Sequence, residues 1–75
     1  MKFTFENLQS KRVTLVIEPW AMAEDVEPEG TVVFEVSDQP APEIHFGMTR
    51  DGDPCISVVS DVVRFRAGGQ DWEFA

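Results

Sequence analysis

The sequence predicts an all-β chain, a small antiparallel β-sandwich or barrel of about six or seven strands, and three observations carry that expectation. The first is the stretch Arg12–Trp20, in which Val13, Leu15 and Ile17 share one face at the period of two that a pleated strand imposes. The second is the C-terminal segment, where two alternating runs flank Gly68-Gly69 in a single consistent register. The third is the absence of any sustained 3.6-residue period, together with turn residues at short intervals.

Lys2–Glu6 alternates Phe3 and Phe5 with polar residues, as a half-buried strand does. Asn7 to Lys11 supplies turn residues, and the following strand is expected to return antiparallel to the first. That second strand carries Val16 at the centre of its other face, so it is expected inside a sheet and covered on both sides. Pro19 ends it, having no N–H for the ladder, and Trp20 is left at the exit, either capping the core or standing out as a contact. Residues 21–25 read as a loop or a short edge strand. Pro28-Glu29-Gly30 fits a tight turn with Gly30 at the position of positive φ. Thr31–Val36 is a strand with Val32, Phe34 and Val36 on one face. Pro40 and Pro42 make residues 37–42 a loop. Glu43–Met48 resumes extension with Ile44, Phe46 and Met48 inward, and Asp51-Gly52 suits a two-residue type I′ hairpin leading into Cys55–Ser60. Asp61 interrupts before a strand over 62–66. Across the Gly68-Gly69 loop, Phe65 falls opposite Trp72 and Val63 opposite Phe74 on one face, with Arg66 opposite Asp71 and Arg64 opposite Glu73 on the other.

Seventy-five residues make one small domain, spanning 1–75, and a hydrophobic content of 43% is too high for a disordered chain. Cys55 is the single cysteine, so no intrachain disulfide is available, which favours a reducing compartment. With no apolar run of signal-peptide or membrane-span length, a cytoplasmic location is expected. The net charge is −8, and its imbalance is confined to the middle third: there is no Lys or Arg between Val13 and Thr49, against eight acids from Glu18 to Glu43. Elsewhere acids and bases cancel. Such a field repels phosphates and disfavours nucleic acid, while favouring a protein partner with a basic surface.

Chemistry is sparse. His45 and Cys55 are the lone members of their types, and the Asp51-Gly52 hairpin could bring their strands side by side, but His45 alternates outward and Cys55 is expected as a small core residue. One His and one Cys are too few ligands for zinc or copper. The acids Glu24, Asp25, Glu27 and Glu29 are clustered without fitting an EF-hand loop. There is no phosphate loop and no cofactor motif, and no cofactor is expected. Glu18 beside Trp20 is the one corner at which carboxylate chemistry could be placed, in a chain that offers little depth for a pocket.

The run Val-Thr-Leu-Val-Ile-Glu-Pro-Trp-Ala, followed by the acidic segment, Pro-Glu-Gly and a Val-rich strand, resembles a group of short bacterial all-β proteins of uncharacterised function with a "Leu-x-x-Glu-Pro-Trp" strand end and a "Pro-x-Gly" turn. The resemblance spans about residues 1–36. It implies a bacterial intracellular β-domain and brings no activity, ligand or catalytic residue.

The function expected from the residues is therefore a non-enzymatic protein–protein interaction or accessory domain, self-associating or inhibiting a basic partner by charge complementarity. Its surface is expected at Trp20, Glu18, Glu24, Asp25, Glu27 and Glu29. The alternative is a binder of calcium or a small cationic ligand through the acidic 24–29 loop.

Overall fold

A computed structural model describes residues 1–74. Eight strands follow one another without a helix: β1 (Lys2–Glu6), β2 (Val13–Glu18), β3 (Met22–Val26), β4 (Thr31–Val36), β5 (Glu43–Met48), β6 (Pro54–Val59), β7 (Val63–Ala67) and β8 (Gln70–Phe74). They form two four-stranded sheets, ordered β1-β4-β7-β8 and β3-β2-β6-β5. The architecture is a sandwich, not a closed barrel, and its strand count exceeds the expected six or seven because residues 22–26 pair fully with β2.

The core lies between the sheets. Leu15, Ile17, Ile56 and Val58 from one sheet meet Val32, Phe34, Val63 and Phe65 from the other, all buried. Each comes from the apolar face of an alternating strand, which is why a period of two suffices to build the interior. Phe34 stacks on Phe3 at 4.7 Å between ring centroids and tilts against Phe65 at 5.6 Å.

Two expectations about pairing are corrected. β1 does not pair with β2; it pairs with β4, in the other sheet. The connection over residues 7–12 crosses between layers, so both strands aim their apolar faces into one shared core. The sandwich is also not wholly antiparallel, because β2 is central, with β3 antiparallel on one side and β6 parallel on the other. β2 is covered on one face only: Leu15 and Ile17 are fully buried, whereas Thr14, Val16 and Glu18 are half-buried on the outer face.

The crossing is held by Asn7, the buried polar side chain of the described residues. Its Nδ2 donates to the carbonyls of Lys11 (2.8 Å) and Val26 (2.9 Å), and its Oδ1 accepts from the Gln9 amide (2.9 Å). Its backbone also exchanges bonds with the β3–β4 turn, donating to Gly30 O and accepting from Glu29 N. The turn itself differs from expectation. Gly30 N donates to Glu27 O at 2.8 Å, so Pro28 takes the second position and Glu29 the third, where Glu29 holds φ +67°. Gly30 serves close approach instead: a Cβ there would lie 2.9 Å from Glu27 O.

The two remaining hairpins divide. Gly68 and Gly69 both adopt positive φ, and β7 and β8 pair in the register read from the sequence at all four positions. At β5–β6, Gly52 N donates to Thr49 O and Thr49 N to Asp53 O, with Gly52 alone at positive φ. That is a three-residue loop closed by a left-handed glycine, not the expected two-residue turn. Thr49 Oγ1 accepts from Asp53 N at 3.0 Å and favours the longer loop.

Candidate interaction surface

Trp20 sits in the turn between β2 and β3, half-buried, with its ring stacked on Phe74 of the opposite sheet at 4.3 Å and 17°. It caps one end of the sandwich. The acids grouped with it in sequence do not gather around it, because β3 is a strand and distributes its side chains alternately. Asp25 points outward beside Thr14, whose hydroxyl donates to it at 3.0 Å. Glu24 takes the inner face of this edge strand, opposite Leu15 and half-buried. Such an inward carboxylate on an edge discourages further strand addition. Glu18 stands half-buried on the outer face of β2 near Trp20, while Glu27 and Glu29 follow the far end of β3, on the order of 15 Å away at about 3.4 Å per residue.

Some acids of the middle third stand beside bases from outside it. Arg12 lies 3.9 Å from Asp25 and 3.8 Å from Glu27, and Lys2 and Arg64 flank Glu35. Bases distant in sequence fold back onto these acids. Among the described residues no three His, Cys, Asp or Glu side chains converge as a metal site. His45 and Cys55 do share the outer face of their sheet, but their cross-strand partners are Ser57 and Gly47 respectively, which makes them diagonal neighbours. Cys55 is half-buried on that outer face, beside Val16, and is not a core residue. His45 lies 3.6 Å from Glu43.

The outer face of the β1-β4-β7-β8 sheet is a ladder of ion pairs. Lys2, Glu35, Arg64 and Glu73 alternate in sign across all four strands, and Arg64 Nε donates to Glu73 Oε1. Arg66 grips Asp71 with two hydrogen bonds of 2.8 and 3.0 Å. They line a shallow concavity of about 550 Å³ in which opposite charges balance. The hydrogen bond from Arg66, opposed by desolvation and aided by its charge, holds the Asp71 carboxyl below its usual range. A depressed carboxyl contributes stability above its unfolded pKa and loses it as pH falls through the folded value. In an NMR titration Asp71 should therefore show a midpoint below the ordinary aspartate range, and Arg66→Gln should return it there; an unchanged midpoint would dissolve the pair.

Among the described residues, two large apolar side chains stand exposed together on β5. Ile44, Phe46 and Met48 of β5 do face the inner side, as expected, but β5 is an edge strand and overhangs the core: Phe46 is 71% and Met48 68% exposed. Phe46 meets only the rim of the opposite sheet, edge-on to Phe3 at 6.1 Å. Met48 also borders a groove of about 540 Å³ between the β1–β2 loop and the β5–β6 hairpin, whose lining mixes Phe5, Pro54 and the 84% exposed Leu8 with charged residues such as Lys11, Arg12, Asp51 and Asp53. The alternation of β5 was legible in the sequence; its overhang was not, since period-two patterning marks a face and not what covers it.

The chain matches no family model, no curated protein and no solved structure, so no residue role is carried over from another protein. No helix of the described residues is long and apolar enough to cross a membrane.

Proposed function

We propose that this chain is a non-enzymatic protein–protein interaction domain whose contact surface is the β5 side of the sandwich. The observation that supports it most is the exposure of Phe46 and Met48 together on one edge strand. Exposed apolar side chains are ordinary when scattered, but a contiguous set on a strand edge marks a contact site. The edges differ in this respect. β3 places Glu24 inward, and β1 and β8 border the charged ladder, whereas β5 has a single formal charge, Glu43 at its first position.

This moves the expected surface away from Trp20, which is engaged with Phe74. It also lessens the role of a basic partner, since Arg12, Lys2 and Arg64 offset several of the acids that would attract one. In pull-downs with tagged chain, Phe46→Lys and Met48→Lys should remove specifically retained protein while keeping the wild-type melt. Retention surviving both changes but lost in a Glu24/Asp25/Glu27/Glu29 neutralised chain would return the surface to the acidic segment.

A further inference from the structure

Resting on that reading, we propose that the occupant of the β5 edge is a second copy of this chain, paired antiparallel about a two-fold axis at Phe46 so that two sandwiches share one eight-stranded sheet. Thr49 N donates to Asp53 O across the β5–β6 hairpin. Because antiparallel partners alternate, this fixes Glu43, His45 and Gly47 as the residues bonded to β6 and turns the N–H and C=O groups of Ile44, Phe46 and Met48 outward. No loop of the described residues bonds to those outward groups.

A two-fold axis perpendicular to a sheet keeps inner faces on one side, so only residues of like parity can face each other. Two such registers are centred on the strand. Placing His45 on the axis pairs Ile44 with Phe46 but leaves Met48 facing Pro42, which has no N–H to give. Placing Phe46 on the axis pairs Phe46 with itself and Ile44 with Met48, satisfying every outward donor and acceptor in the strand. The same register stacks the exposed apolar side chains of both copies on the inner side, beside Phe3 of each. It brings no like charges opposite one another: Glu43 faces Thr49 of the second copy, next to Arg50, a base with no carboxylate within 4 Å among the described residues.

A strand pair of this length with two apolar side chains per copy covers on the order of 600–900 Å², below the roughly 1,200 Å² of stable interfaces, so the expected association is weak and concentration-dependent. Each copy carries a net charge of −8, so added salt tightens it, the reverse of a contact with a basic partner.

Sedimentation velocity of the full chain over about 10–500 µM tests this. The expected result is concentration-dependent dimer in wild type, strengthened by salt, with the dissociation constant raised about tenfold or more by Phe46→Lys or by Phe46→Glu alone. An equimolar mixture of those two variants should recover the dimer, since only the Phe46-centred register puts position 46 against itself. Dimer unaffected by either variant, or single losses without recovery in the mixture, would overturn the arrangement. A wild type monomeric throughout would overturn self-pairing. If that monomer still retained a Phe46-dependent partner in pull-downs, the interaction domain would stand and only the second copy would fall; with no such partner, both would fall.

Discussion

A chain truncated at Gln70 is expected to lose its cooperative thermal melt. β8 carries Trp72 and Phe74, both packed against the core, and Phe74 is also the surface on which Trp20 stacks. Removing the two aromatics costs about 2–3 kcal/mol each, given their partial burial, and freeing the Trp20 ring about 0.5–1.5 more. A domain of this length is stabilised by about 4–11 kcal/mol in total, at 0.05–0.15 per residue. The loss is of the same order as the whole. Truncation also uncovers Phe65, buried beneath Trp72 and Phe74 at centroid distances of 6.2 and 6.0 Å, and leaves the edge of β7 unpaired. Circular dichroism and calorimetry check it, and a cooperative transition unchanged from the full chain would refute the role of this hairpin.

Asn7→Ala is expected to destabilise by about 2–4 kcal/mol, lowering the melting temperature by on the order of 10–20 °C in a domain this small. The amide is buried and satisfies three backbone groups, the Lys11 and Val26 carbonyls and the Gln9 amide. Truncating it leaves the buried Val26 carbonyl without its partner and frees the part-buried Lys11 carbonyl and Gln9 amide, and the cost of an unsatisfied buried group exceeds the worth of the bond itself. The effect should reach both layers, because Asn7 joins the β1–β2 crossing to the end of β3 and to the turn at Glu29. Asn7→Asp should be no milder, since a carboxylate keeps the acceptor and loses both donors. Equilibrium denaturation of both variants measures this; a shift below about 0.5 kcal/mol, the size of an ordinary surface substitution, would mean the network is dispensable.

The β7–β8 hairpin and the Asn7 network differ in how far they are legible in the residues. The β7–β8 hairpin was readable in full because its determinants are local: two glycines free to adopt positive φ, flanked by runs in which apolar and charged partners both agree on one register. Asn7 gave no such signal. It reads as a turn residue, and its side-chain partners lie up to 19 positions away, on a strand that comes alongside through its pairing with β2. The Asp51-Gly52 loop shows the same limit at short range, where the Thr49 side chain selected a longer turn than the dipeptide suggests.

For the candidate surface the balance tips further toward tertiary structure. Trp20 and the acids from Glu18 to Glu29 are neighbours in sequence, but a strand sends alternate side chains to opposite faces, and Phe74 and Arg12 come from elsewhere to engage them. Phe46 and Met48 carry the pattern of core residues and are exposed because β5 is an edge. By itself the sequence determined that the chain is all-β, which face of each strand is apolar, and how the last hairpin pairs, since these follow from periodicity and turn chemistry along the chain. Only the tertiary structure decided which strands share a sheet, that β2 and β6 run parallel, and which apolar face is left uncovered, because those depend on contacts between segments that the chain brings together after its local choices are made.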